Sequence, residues 1–458
     1  MKAIITNQFT IIKNPTNDIV REFKQSMSYT DKQKQFELRR LEKNPFYKNK
    51  SYIDKLKKEI NCCILKNLDG GHIAFNSGLS FYLNNINIED KRTDTGKVIA
   101  LPWVKKPFNL RPYQEEAVQV AVENWRGIIA MATGLGKTLV ATYLIKKLKR
   151  NTLIMVPSES IAKQFYKELV DAFGESMVGY YGGGKKKIKS ITVGIVASVV
   201  NAIDEFKKAD LGVIIVDEVH HLAASTFYEI TTALGDVGRI YGLTATDYRS
   251  DGKDLLIHAG CGQVIIKRDI KWGIDNNFLA KPKFIVKKVS TIGVDHKYDK
   301  LKNYKEHILN NSLMKDEIKN DIKKYIALGK SVLCLVGEIE HGVELSKELG
   351  VPFAQGKDKK SQGYVDDLNS GKISCLIGTN GKISEGTDTR NVDVLVLASF
   401  MASKGPVIQS IGRALRRQGS KIEALIIDYM PSGSTMLTRH AQSRIAFYKE
   451  ITIDVQVL

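Results

Sequence analysis

Ile128-Ile129-Ala130-Met131-Ala132-Thr133-Gly134-Leu135-Gly136-Lys137-Thr138 passes from a β-branched apolar run, through a loop with two glycines, into an amphipathic stretch. The run predicts a buried strand at Ile128–Met131. The stretch predicts a helix over Thr138–Lys149, with Leu139, Tyr143, Leu144 and Leu148 on one face. A loop at such a junction turns backbone N–H groups toward phosphate oxygens, and the helix N-terminus adds partial positive charge. Thr133, Gly134 and Gly136 would line that cradle, and Lys137 would reach the β- and γ-phosphates of ATP. The Thr138 hydroxyl would bind Mg²⁺. The strict pattern has glycine where Met131 stands, so the match is one position short.

Outward from this loop the chain alternates short apolar runs with helical patterns, which predicts a parallel-sheet α/β architecture. Further strands are expected at Thr152–Val156, Ile191–Val196, Val213–Val216 and Arg239–Leu243. A second cycle begins after Pro282, with strands at Phe284–Val289, Val332–Val336, Ile373–Ile377, Val394–Ala398 and Ala424–Ile427. Helices at Asn311–Leu328 and Glu340–Leu349 separate them. Before the first cycle, Asp31–Asn44 and Tyr52–Ile60 read as Lys-rich helices. Cys62–Leu65 and His72–Phe75 read as strands joined by a turn at Asp69-Gly70-Gly71. The expected fold is α/β: two tandem parallel-sheet lobes over 106–283 and 284–458, behind a small α+β domain over 1–105. The polar stretch Glu89–Gly96 is expected to be a linker.

The formal net charge of +19 over 458 residues points to a polyanionic partner. Residues 1–109 carry a net +9, residues 110–280 only +2, and residues 281–458 a net +8, so two basic flanks enclose a nearly neutral middle. The five cysteines show no C-x-x-C spacing and read as free thiols of a reducing cytosol. Thr6, Asn7, Gln8 and Thr10 interrupt the N-terminal apolar residues, against a signal peptide, and no apolar stretch has membrane-spanning length. A cytoplasmic protein with no membrane partner is expected.

Asp217-Glu218-Val219-His220-His221 comes directly after the apolar run Val213–Val216, eighty residues beyond Lys137. Asp217 at a central strand tip would hold Mg²⁺ through water, and Glu218 would orient and deprotonate the attacking water. Adjacent histidines do not share a helix face as an i, i+4 zinc pair does. In the second cycle, Gln409-Ser410-Ile411-Gly412-Arg413-Ala414-Leu415-Arg416 puts two arginines three apart, a spacing that shares one helical face and suits contact with a γ-phosphate.

Taken in this order, these motifs resemble those of superfamily 2 helicases of the DExH type, over about Phe108 to Asp428. The resemblance implies two RecA-like lobes, ATP and Mg²⁺ as cofactors, and catalytic roles for Lys137, Asp217, Glu218, Gln409, Arg413 and Arg416. It further implies adenine contacts from Arg111 and Gln114, and nucleic-acid backbone contacts from Pro157, Ser158, Ser198 and Thr379. Thr244 and Thr246 would couple hydrolysis to lobe movement, and Gly386 and Asp388 would lie at the nucleotide. Ala197 stands where many relatives have glutamine, and Asp247 where many have proline. Arg249-Ser250-Asp251-Gly252 and Ile339-Glu340-His341-Gly342 resemble the UvsW and XPB group of DNA motors, and His72–Leu83 resembles a module preceding the motor in phage recombination and repair helicases. The implied activity is ATP-driven movement on DNA, 3′ to 5′, at forks or branches in replication, recombination or repair. Single-stranded DNA would be the track, and duplex or branched DNA would lie on the basic N-terminal domain, with Lys55, Lys57 and Lys58 as its grip. The chain is expected to act as a monomer, with other replication or recombination proteins as further partners. An RNA helicase and a restriction-type motor subunit are the alternatives. The run Gly182-Gly183-Gly184-Lys185-Lys186-Lys187 reads as a flexible loop between a helix and a strand, able to contact phosphates or to be only a solvated turn, with the turn slightly favoured.

Overall fold

The computed structural model describes residues 1–44, 47, 49–245, 251–296, 299–356, 358, 360–384, 389–400, 404–417 and 421–458. They divide into two compact units. One holds Met1–Met131 with Gly136–Lys267, the other Ala132–Leu135 with Arg268–Leu458.

The first unit begins with β1 (Lys2–Ile5), β2 (Phe9–Lys13), α1 (Asn17–Ser26), β3 (Ser28–Thr30), α2 (Lys32–Glu42), α3 (Lys50–Glu59), β4 (Asn61–Cys63), β5 (Lys66–Leu68), β6 (His72–Asn76) and β7 (Asn87–Asp90). Five of the strands form a sheet in the order β5-β6-β2-β1-β7. Two of these, β1 and β2, were not foreseen, because Thr6-Asn7-Gln8 reads as polar interruption when it is the hairpin turn: the Thr6 N–H donates to the Phe9 carbonyl at 2.8 Å. The strand expected at Cys62–Leu65 is displaced. Cys62 and Cys63 pair with β3, and Lys66–Leu68 is the partner of β6 across the Asp69-Gly70-Gly71 turn. Leu38, Leu41, Leu56 and Ile60 close α2 and α3 into a helical hairpin with a small core of its own.

The expected linker at Glu89–Gly96 is instead built into the unit. Residues 87–90 are β7, paired in parallel with β1. Beyond it the Asn7 side chain donates to the Thr93 carbonyl at 3.1 Å, and Arg239 grips Asp94 at 2.6 Å. The small domain is therefore fixed to the first lobe by more than chain connectivity. Gln8 donates to the Thr232 carbonyl at 2.8 Å, and buried Arg126 donates to the carbonyls of Asn7 and Gly260. A Cβ on Gly78 would stand 2.4 Å from the His258 carbonyl oxygen, so the two backbones meet where only glycine fits.

The rest of this unit contains α4 (Pro112–Glu123), β8 (Arg126–Met131), α5 (Lys137–Leu148), β9 (Thr152–Val156), α6 (Glu159–Phe173), β10 (Val178–Gly182), β11 (Lys185–Lys187), β12 (Ile191–Ile195), α7 (Val196–Val199), α8 (Ile203–Lys207), β13 (Val213–Val216), α9 (Ala224–Ala233), β14 (Arg239–Thr244), α10 (Asp254–Cys261) and β15 (Val264–Arg268). The sheet order is β11-β10-β12-β9-β13-β14-β8-β15. β8, β9, β10 and β13 are buried along their whole length, as parallel strands covered on both faces must be. The deep face of α5 is Val140, Ala141, Leu144 and Ile145, one step from the face expected from its sequence; Leu139, Tyr143 and Leu148 are only half-buried. The Lys185-Lys186-Lys187 run is an antiparallel edge strand on β10, not a turn. Its exposed lysines discourage pairing with another chain.

The second unit holds α11 (Ile270–Asp275), β16 (Lys281–Val289), α12 (Lys300–Tyr304), α13 (Ser312–Ala327), β17 (Val332–Val336), α14 (Ile339–Leu349), β18 (Phe353–Ala354), α15 (Ser361–Asn369), β19 (Cys375–Thr379), α16 (Asn380–Ser384), β20 (Val394–Ala398), α17 (Lys404–Ala414), β21 (Glu423–Pro431), α18 (Thr435–Ile451) and β22 (Val455–Val457). Its seven strands take the order β18-β19-β17-β20-β21-β16-β22, and all their pairings are parallel. The two lobes are RecA-like α/β layers, the fold class expected from the sequence.

Asp428 on β21 is buried under α18. Arg444 meets it with two parallel bonds at 2.7 and 2.9 Å, and the Tyr448 hydroxyl adds a third at 2.8 Å. Removing one partner of such a pair strands a charge in the core, at a cost of about 3–5 kcal/mol. Arg444→Met is therefore expected to lower the urea midpoint for unfolding of the second unit, read by hydrogen exchange at β21 amides. A loss below about 1 kcal/mol would mean that water reaches Asp428. Among the described residues no helix is long and apolar enough to cross a membrane.

Candidate nucleotide site

β8, β9, β12, β13 and β14 run parallel, so their C-terminal ends share one edge of the sheet, where open α/β sheets bind ligands. That edge collects the Thr133–Thr138 loop after β8, Pro157 and Ser158 after β9, Ser198 after β12, and Asp217 with Glu218 after β13. Thr244, fully buried, ends β14. Because β14 lies between β8 and β13, Thr244 stands between the tips that carry the lysine loop and the carboxylates.

The loop is shaped by left-handed backbone at Gly134 (φ +94°) and Gly136 (φ +84°), which a side chain would oppose. Gly136 caps α5. A Cβ there would lie 2.4 Å from Gln114 Nε2, so Gln114 packs directly on the loop. Gln114 is buried, and its Oε1 accepts the Arg111 N–H at 2.9 Å, which closes the first turn of α4 with Pro112 at its start. Lys137 Nζ donates to the Met131 carbonyl at 3.2 Å and stands 3.7 Å from Glu218 Oε1. The Met131 departure is thereby accounted for: its carbonyl serves the lysine, any residue supplies a carbonyl, and its side chain packs in the core.

Asp217 is 8% exposed. Burial and the neighbouring Glu218 push its carboxyl up to about 7, while Lys137 pulls it down. Glu218 adopts φ +49°, a conformation that costs a residue with a Cβ on the order of 1–3 kcal/mol and is held only where surroundings enforce it. Its Oε2 is buried with no hydrogen-bond partner among the described residues. Such an atom fits a role of holding a water. The Thr138 hydroxyl and Asp217 carboxylate are the hard oxygen donors that Mg²⁺ prefers. A glycine-shaped anion cradle, a lysine and two carboxylates can together bind a nucleoside triphosphate and activate water against it.

Of the remaining predicted residues, Ser158 caps α6, its hydroxyl accepting the Ile161 N–H at 3.5 Å, and Ser198 is half-buried within α7. Thr379 ends β19 in the second unit. Gln409 and Arg413 lie one turn apart on α17, but Arg413 and Arg416 do not share a helical face. The helix ends at Ala414, and Arg416 pairs as a β-bridge with Leu279, next to the bond from the Ala280 N–H to the Leu415 carbonyl at 2.8 Å. Thr246, Gly386 and Asp388 lie outside the described residues, as does Arg249 of the motif it shares with Asp251 and Gly252. His341 is buried in the first turn of α14, its Nδ1 2.8 Å from the Tyr304 hydroxyl, and burial brings it down to about 4, so the ring is neutral. Two tethers escaped sequence reading. Arg126 has a visible local signal, a cation opening an apolar strand. The Asp31–Lys253 ion pair at 2.7 Å, which fixes the start of α2 beside Asp251, has none.

The family described as the res subunit of type III restriction enzymes matches residues 107–249. The DNA 3′-5′ translocase XPB2 of Sulfurisphaera tokodaii is 24% identical over 77% of this chain and 88% of its own length. The DNA 3′-5′ helicase XPB of Kineococcus radiotolerans is 28% identical over 71% of this chain and 60% of its own. The Pyrococcus furiosus Hef helicase domain shares the fold, with a TM-score of 0.51 at 16% identity over 73% of this chain and 98% of that one. The chain is thus similar to that family over residues 107–249, and to helicases and translocases of the XPB type over most of its length.

Proposed function

We propose that this chain is a DNA translocase that converts ATP hydrolysis into 3′-to-5′ movement and acts at forked or branched DNA in replication, recombination or repair. The observation that carries the ATPase half is the approach of Lys137 to Glu218, 3.7 Å apart, beside buried Asp217. The names of the archaeal and bacterial relatives support DNA and the 3′-to-5′ direction.

In this reading Thr133, Gly134 and Gly136 hold phosphate oxygens by backbone N–H groups, and Lys137 leaves Met131 to meet the β- and γ-phosphates. Thr138, and Asp217 through water, would hold Mg²⁺, which would supply neutralisation of charge on the phosphates. Glu218 takes the proton of the attacking water. Arg111 and Gln114 read the base, and Gly386 and Asp388 contribute to nucleotide binding. Gln409, Arg413 and Arg416 oppose the charge that develops on the transferred phosphoryl group. Thr244 and Thr246 pass the change to the strand-gripping residues Pro157, Ser158, Ser198 and Thr379.

Lys137→Ala is expected to remove measurable ATP turnover while DNA binding without nucleotide stays within about threefold, roughly 0.7 kcal/mol. Filter binding beside a phosphate-release assay reads both, and turnover retained in this variant removes Lys137 from the site. The test of the whole proposal is the ATPase rate with no nucleic acid, single-stranded DNA, duplex, fork, four-way junction and matched RNA. Strongest stimulation by fork or junction is expected; preference for RNA would overturn the DNA assignment and keep the ATP site.

A further inference from the structure

The α2–α3 hairpin sorts its charges by face. At 100° per residue, Lys32, Phe36, Arg39, Arg40 and Lys43 fall on one side of α2, opposite buried Leu38 and Leu41. All four cations are exposed, and none has an ion-pair partner among the described residues. The acids of α2 turn toward α3 instead: Glu37 accepts the Tyr52 hydroxyl at 3.0 Å, and Glu42 meets Lys57 at 3.1 Å. Lys55 lies 3.9 Å from Glu59, and Lys34, off the stripe, meets the same carboxylate at 2.5 Å, so the lysines that face the hairpin interior are partly neutralised where the four cations of the stripe are not. At the centre of the α2 stripe Phe36 is 71% exposed. A solvated basic face requires no aromatic ring at its middle, and burying that ring against the protein would have been favourable.

The stripe is also anchored. Asp31, immediately before α2, pairs with Lys253, and the Lys32 N–H donates to the Asp251 carbonyl at 3.2 Å. Asp251 lies seven residues after Thr244, so the hairpin is held by the segment just beyond the proposed coupling motif.

We infer that this face of α2 binds the branch point of DNA. Lys32, Arg39, Arg40 and Lys43 lie along the phosphates, and the Phe36 ring stacks on the base exposed where the duplex opens. The inference rests on the DNA reading above and assigns the branch contact to α2, not to Lys55, Lys57 and Lys58. A flat ring among cations matches the two chemistries an opened duplex end offers, a π-face and closely spaced phosphates.

The experiment uses the full chain with forked DNA carrying 2-aminopurine at the junction, and single-stranded DNA of equal length, across a salt series. Phe36→Ala is expected to lose the junction fluorescence quench and about 5- to 100-fold in fork affinity, with the salt slope unchanged. Phe36→Tyr should restore both. The double variant Arg39→Ala, Arg40→Ala is expected to reduce the salt slope for the fork by about 2. Both variants should retain single-strand-stimulated ATPase, since α2 takes no part in the nucleotide site. Unchanged fork binding in both would overturn the inference and leave the face to an acidic protein partner. Failure of every DNA to stimulate the unaltered chain would count against the motor reading instead.

Discussion

Arg416→Ala is expected to hydrolyse ATP about 10³–10⁵-fold more slowly than the unaltered chain while binding it with little change. The magnitude comes from what such an arginine does: its guanidinium opposes charge that grows only as the phosphoryl group leaves, so it favours the transition state over the bound substrate. Main-chain pairing holds the root of this side chain. Arg416 is bridged to Leu279, and the Leu415 carbonyl accepts the Ala280 N–H at 2.8 Å, so truncating the side chain leaves the local backbone pinned. Arg416→Lys should recover little of the rate, because an ammonium lacks the planar fork that meets two phosphate oxygens. Steady-state phosphate release and equilibrium binding of a fluorescent ATP analogue separate the two quantities. A rate within tenfold of the unaltered chain would remove Arg416 from the catalytic set.

Glu218→Gln should slow hydrolysis by about 10²–10⁴-fold and accumulate the ATP-bound form. The substitution is isosteric and tests the proton acceptor alone. The left-handed backbone at φ +49° already accommodates a side chain of this length, and the amide fills the same buried space. It changes the chemistry at Oε2, which is buried with no partner among the described residues, and weakens the attraction to Lys137. Single-turnover quench-flow gives the chemical step directly, and DNA binding with ATP present should persist far longer than in the unaltered chain. If the chemical step were unaffected, Asp217 or a water chain would have to carry the proton. Together with Arg416→Ala, this variant separates activation of the water from stabilisation of the phosphoryl group.

Much of the lobe architecture was legible because parallel strands covered on both faces are continuous apolar runs. Thr152–Val156, Val213–Val216, Val332–Val336 and Val394–Ala398 have the same bounds in sequence and structure. The N-terminal domain was harder to read because its strands are short and half-covered. Nothing in Thr6-Asn7-Gln8 distinguishes a hairpin turn from a polar interruption until β1 and β2 pair. The end of α17 was misread for a related reason. No glycine or proline stands directly after Ala414, and the helix gives way to a bridge with Leu279, a residue 137 positions earlier.

Local order in the chain determined the chemistry that depends on neighbours along it: a glycine-shaped loop at a helix start, a lysine and hydroxyl behind it, and paired carboxylates after an apolar run. Tertiary structure alone decided that these meet. Lys137 and Glu218 come within 3.7 Å because β14, late in the lobe's sequence, inserts between β8 and β13 and aligns their ends. The same holds for the small domain, where the start of α2 is fixed to the residues after Thr244 by Asp31 and Lys253. Strand order and such tethers are long-range pairings, set by which surfaces bury one another, and no window of sequence contains both partners.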